Sequence, residues 1–353
     1  MNKVVYLLGA GASYGKRITD EKVLKNMTDG AADIITEGLP IVTEIPKRLD
    51  FVSNKILSTE LPLDSLPNAE GLRSKLVKDL QWLKNESLRH ATIDTFAKKL
   101  YLRGDIESFV KVEILLSIFF IVEQATHKPD GRYDTLLASI LTRGMLIPDN
   151  IVFLTWNYDC QFEITLKEYI DKTTYEFDSV LNTLDITDDI DRTFYRNGIN
   201  HLIKLNGTAN FRNDNHLYLT KYSGLSSILL TVLLKRYKEF LDNERIRSLT
   251  SLTFAWDNAN YIKDKWQKID QAIRNAEILV IIGYTFPFFN RETDRELFKL
   301  MPDLHRIYIQ DPNADNLLYN LLPVLSENNR KVISQNEIIP IKNVNQFFLP
   351  QEL

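Results

Sequence analysis

KVVYLLGAGASYG, residues 3–15, decides the fold: an apolar strand runs straight into a glycine-rich turn, as at the start of nucleotide-binding α/β domains. Val4, Val5, Leu7 and Leu8 give a buried-strand signal, and Gly9, Gly11 and Gly15 permit a tight turn with backbone N–H groups close to a diphosphate. Spacing narrows the class. A P-loop needs Gly-Lys followed by Ser or Thr, whereas Gly15-Lys16 is followed by Arg17, which excludes an ATPase of that kind. A dinucleotide fingerprint would set its third glycine at Tyr14, so the turn fits only a relaxed version with one extra residue. Taken alone, it reads as a nucleotide site or as an ordinary strand-to-helix connection.

Further strands decide between these. IVFLTWNYD at 151–159 is a β-branched and aromatic run of the sort buried on both faces of a parallel sheet. It ends in Thr155, Asn157 and Asp159, which share one face while the chain stays extended, although Asn and Asp also end strands simply by bonding their own backbone. HLIKLNGT at 201–208, EILVIIGYTFP at 277–287 and HRIYIQDPN at 305–313 repeat the pattern, leaving Gly283, Thr285, Gln310 and Asp311 at strand exits. Carboxyl ends of parallel strands are where α/β sheets bind ligands, so five such ends converging on one crevice are expected.

GAGAS, TxNYD, KLxGT and IxGYTFP, in this order, resemble the sirtuin-like NAD-consuming family, especially its bacterial branch of antiphage NAD hydrolases. The resemblance spans Gly9 to Asp311 and implies an α/β fold with a Rossmann-like parallel sheet and helical insertions. It also implies that NAD⁺ is the substrate, with Gly9, Ala10, Gly11, Ala12 and Ser13 holding the pyrophosphate and Thr155, Gly283, Thr285 and Asp311 completing the crevice. Asn157 would order the nicotinamide ribose or the attacking water, and Asp159 would help to seat the nicotinamide amide. The third catalytic position departs from the family: Asn206 stands where a proton-accepting histidine is usual, and an amide cannot titrate near neutral pH. His201, at the far end of the same strand, reads as a packed residue rather than a substitute.

Composition agrees with a folded, globular chain. The chain has 353 residues, 44% of them hydrophobic, enough for one large core or two smaller ones. The apolar helix signal at 106–124 is interrupted by Lys111, Glu113 and Glu123 and is too short in its uncharged part to span a membrane. No signal-peptide pattern opens the chain, so a cytoplasmic location is expected. Cys160 is the single cysteine, which rules out a four-cysteine zinc ribbon, and the five histidines show no close ligand spacing, so no metal is expected. A net charge of −4 argues against nucleic-acid binding through a basic face, and Lys235, Arg236 and Lys238 read as a solvated helix face.

One sirtuin-like domain over 1–353 is expected, with helical insertions near 53–147 and 220–270. In the first, Leu72, Leu76, Leu80 and Leu83 recur at helical spacing, and Asp94 reads as a helix N-terminal acid near Thr92 or as a residue facing the site. ITDDIDR at 186–192 lacks the residues of a calcium loop. The leading function is an NAD⁺ glycohydrolase that depletes NAD⁺ in abortive infection, restrained by oligomerisation or by a separate sensor subunit. The alternatives are a catalytically impaired sirtuin-like nucleotide-binding module and, third, a protein deacylase. Tyr261 and Lys265, with Ser248 upstream, mimic the spacing of short-chain dehydrogenases but lie too far from the glycine turn.

Overall fold

In β1 (Val4–Leu8) successive side chains enter opposite cores: Val5 and Leu7 join one hydrophobic cluster, Val4, Tyr6 and Leu8 the other. A strand buried on both faces belongs in the middle of a sheet covered by helices on each side. The computed structural model shows this arrangement and describes residues 2–15, 38–62, 66–169, 183–185, 201–211, 224–242, 250–257, 262–333 and 337–353.

The other described elements, in chain order, are α1 (Ile45–Ser58), α2 (Ala69–Arg89), α3 (Ile93–Arg103), α4 (Ile106–Thr126), α5 (Gly131–Ile140), β2 (Ile151–Thr155), α6 (Gln161–Tyr169), β3 (Thr183–Asp185) and β4 (Leu202–Lys204). They continue with β5 (Gly207–Phe211), α7 (Ser227–Asp242), β6 (Thr250–Leu252), α8 (Ile262–Ile273), β7 (Ile278–Ile282), α9 (Arg291–Lys299), β8 (Arg306–Gln310), α10 (Ala314–Leu321), α11 (Glu327–Val332) and β9 (Ile338–Ile341). The chain divides into two compact units: Met1–Ser13 with Asp130–Gly207 and Thr253–Leu353, and Tyr14–Pro129 with Thr208–Leu252.

The first unit holds a parallel sheet in the order β3-β4-β2-β1-β7-β8-β9. This is a Rossmann-like α/β fold, with α5 and α6 contributing to one core and α8, α9 and α10 to the other. The chain leaves β1 toward β2 on one side and later returns to β7 on the other, so β1 and β7 flank the topological switch point. In register, Lys204, Thr155, Leu8, Ile282 and Gln310 align across five strands, which brings their carboxyl ends to one edge.

The second unit is mainly helical. Leu72, Leu76, Leu80 and Leu83 are buried along α2, and α4 is a buried helix carrying Glu113 and Glu123 inward. Glu123 pairs with buried Arg48, and Asp79 accepts from Lys111 (2.6 Å) and from Tyr237. Thr92 caps α3 by accepting from the Thr95 N–H (3.2 Å), and burial pushes the nearby Asp94 carboxyl up to about 6. On α7, Arg236 pairs with Glu239 and Lys238 with Asp242, as on a solvated face. Among the described residues no helix is long and apolar enough to cross a membrane. Lys16, Arg17, the 186–192 stretch, Ser248, Tyr261 and the side chain of Lys265 lie outside the described residues.

Candidate active site

The glycine turn is built by close backbone packing between two strand exits. A Cβ on Gly9 would lie 2.5 Å from the Gly283 carbonyl, and one on Gly11 would lie 2.7 Å from Gly283 Cα. Gly283 has φ +60, and its own Cβ would come within 2.5 Å of Gly11. Only glycine meets these conditions, because β1 and β7 are neighbours and their exits interlock. The N–H groups of Gly9 and Gly11 donate to the carbonyls of Ile282 (2.9 Å) and Gly283 (3.0 Å), while those of Ala12 and Ser13 close a 3₁₀ turn onto Gly9 and Ala10. A diphosphate seated here would meet the turn at Ala10 or take these amides over from their carbonyls.

Side chains from three later segments grip the other side of the turn. The Asn157 amide donates to the Gly9 carbonyl (2.9 Å) and to the Ser13 hydroxyl (3.2 Å). Gln161 donates to the Ser13 carbonyl (3.3 Å), and Arg132 to the carbonyls of Gly11 (3.1 Å) and Ala12 (3.3 Å). Arg132 is itself fixed by Asp130 (2.5 Å), by the Val344 carbonyl (3.1 Å) and by stacking over Phe347, so its donors are committed to the protein. The Tyr133 hydroxyl lies 3.2 Å from that of Ser13.

Gln161 joins this turn to the acidic centre: its side-chain amide donates to the Ser13 carbonyl (3.3 Å) and its backbone N–H to Asp159 Oδ1 (3.1 Å). Burial pushes the Asp159 carboxyl up, Lys204 and the Gln161 N–H pull it down, and the net shift is upward. Lys204 reaches from the end of β4 to donate to the Asp159 carbonyl and to lie 3.2 Å from Glu163. Burial, the largest single influence, would lower the Lys204 amine, but Glu163 together with Asp159 and Cys160 outweighs it and raises it. Cys160 is fully buried beside this pair, and burial pushes its thiol well up, away from the reactive thiolate.

Asn157 and Asn206 stand in equivalent places, each two residues beyond the register pair Thr155 and Lys204 on neighbouring strands. Asn206 is 8% exposed, and its Oδ1 is buried with no hydrogen-bond partner among the described residues. Its carbonyl accepts the Thr253 N–H (2.9 Å), and the Thr253 carbonyl accepts from Tyr158 (3.0 Å), which braces the Asn206 turn against the Asn157–Asp159 turn. Thr155 shapes that turn by accepting the Asn157 N–H (3.0 Å). His201 lies at the opposite end of β4, bonded to the Ile151 carbonyl (3.0 Å).

The remaining strand-end residues hold other structure. The Asp311 carboxylate accepts the Asn313 N–H (2.8 Å) at the start of α10, and Gln310 bonds the carbonyls of Asn343 and Gln346 (2.6 Å each). Thr285 is exposed, and its carbonyl accepts from Asn320 (3.1 Å). Asp94 belongs to the second unit. Arg132, Tyr133, Gln161 and Glu163 do not stand out in the sequence, and the Pro-Asp-Gly helix start at 129–131 is the one local cue to Arg132 and Tyr133.

Chemically, this edge gathers the amides of Asn157, Gln161 and Asn206, the Ser13 hydroxyl, the Tyr133 phenol and the Asp159 carboxylate around a turn that can approach a ligand backbone-first. Among the described residues no group of three metal-ligating side chains comes together. No protein-family model matches this chain and no curated protein matches it, so its activity has to be argued from the site itself.

Proposed function

We propose that the chain is an NAD⁺ glycohydrolase that converts NAD⁺ and water into nicotinamide, ADP-ribose and a proton. One observation supports this most: Asn157 bonds both Gly9 and Ser13, and Gln161 bonds both Ser13 and Asp159, so motifs about 150 residues apart form one constellation at the switch point. Breaking the bond between nicotinamide and ribose needs no protonation of the leaving pyridine and builds positive charge on the sugar. Positioning by the glycine turn and Asn157, with the Asp159 carboxylate near that charge, supplies acceleration without a histidine.

Asn206 then sets the rate. A missing general base forfeits ~10²- to 10⁴-fold, so Asn206→His is expected to raise nicotinamide release by up to that factor. An NAD⁺-depleting enzyme is toxic to its own cell, and restraint by self-association or a separate sensor subunit fits this reading, with depletion serving antiphage defence. Asn206 also favours a second reading, a nucleotide-binding module with little turnover. NAD⁺ binding without nicotinamide release by either form of the chain would select it. A deacylase is the weakest reading, and release of acetyl groups from an acyl-lysine peptide would revive it.

A further inference from the structure

Lysines are rarely buried, yet Lys204 is 1% exposed and Glu163 beside it is also buried. Removing two charges from water is costly, and apolar side chains of the same volume would join β4 to α6 at least as well. Packing therefore gives no reason for the pair; its location does. The Lys204 ammonium donates to the Asp159 carbonyl, while the Asp159 carboxylate is held by the Gln161 N–H, and the Gln161 side chain in turn holds the Ser13 carbonyl. One residue is thus gripped at both its ends, by a cation and by the start of α6.

We propose that Lys204 and Glu163 form a positioning pair that fixes the Asp159 carboxylate and keeps it charged at the exit of β2. The proposal rests on the NAD⁺ hydrolase reading, in which this carboxylate meets developing positive charge. The groups that face or surround Asp159 are Lys204 from β4, Glu163 and Cys160 from α6 and its lead-in, Tyr133 from α5, Ser13 from the turn, and the Arg132–Asp130 pair next to Tyr133. Lys204 favours the carboxylate, and a negative charge on Glu163, paired with that lysine, opposes it by Coulomb repulsion. Removing each half of the pair therefore moves Asp159 in opposite directions, which an ion pair that merely holds the fold together would not do.

The test follows the Asp159 carboxyl carbon by NMR across a pH titration in the full chain without ligand, alongside the pH profile of nicotinamide release. Lys204→Met is expected to raise the Asp159 midpoint by at least about one unit, roughly tenfold in its ionisation constant, and Glu163→Gln to lower it. The acidic limb of the release profile should move with the midpoint in each variant. Midpoints that stay in place, or move the same way in both, overturn the proposal. Should Lys204→Met fail to fold, Glu163→Gln keeps an amide oxygen for Lys204 and decides by the sign of its shift. If no form of the chain releases nicotinamide, the hydrolase reading fails, while the direction of the carboxyl shifts still supports or overturns the pair's hold on Asp159.

Discussion

The two flanks of β1 end in similar residues that do different work. On the β2 and β4 side, Asn157, Asp159 and Lys204 form one bonded group with the glycine turn by way of Gln161. On the β7, β8 and β9 side, Gln310 ties down the chain at 343–348, Asp311 starts a helix, and Asp294 on α9 lies buried beneath the β7 exit with both oxygens accepting from Tyr284 (2.9 Å). A polar strand end is therefore not a site by itself. What separates the flanks is the partner: on one side another strand's exit, on the other the residue's own neighbours or the chain's last segment.

This contrast breaks if Asp294 proves to be functional rather than structural. Burial pushes its carboxyl up to about 8, so the folded state holds a proton that the unfolded chain releases near its ordinary value. The resulting stability is complete below about pH 4 and is lost as pH rises toward about 8, on the order of several kcal/mol. Urea midpoints should fall from pH 5 to pH 8 in the unaltered chain, and Asp294→Asn should flatten that slope while leaving NAD⁺ affinity within about twofold. A smaller effect probes the seam between the flanks: Gly283→Ala forces a Cβ into the Gly11 backbone at positive φ and should cost about 3 kcal/mol in urea unfolding. Asp311→Ala removes the side-chain turn that leads into α10 and should cost ~1 kcal/mol. An unchanged NAD⁺ affinity in that variant leaves only the turn, whereas a parallel loss adds a cofactor contact and blurs the contrast.

Much of the sheet was legible because its central strands are continuous apolar runs bounded by small or polar residues. Two edge strands were not: β3 is three residues long, and β9 contains Pro340, which reads as a strand breaker although an edge tolerates it. The glycine turn was legible as a turn but not for its main reason. Gly9 and Gly11 are required by Gly283, some 270 residues away, and no local pattern announces a backbone contact at that separation. Asn157 and Asp159 stood out as a polar cluster, whereas Arg132 and Tyr133 sit in an ordinary helix start and gain meaning only from the loop they touch. Lys204 was visible within a strand motif, but its burial against Glu163 runs against the usual habit of lysine and needed the fold to reveal it.

The most direct measurement incubates the purified chain with NAD⁺ and follows nicotinamide and ADP-ribose by chromatography, beside Asn157→Ala. Equimolar nicotinamide and ADP-ribose from the unaltered chain, reduced at least ~100-fold by Asn157→Ala, is the expected result. Undiminished release by Asn157→Ala, or intact NAD⁺ throughout with both the unaltered chain and Asn206→His, would contradict the assignment of this edge as an NAD⁺-cleaving site.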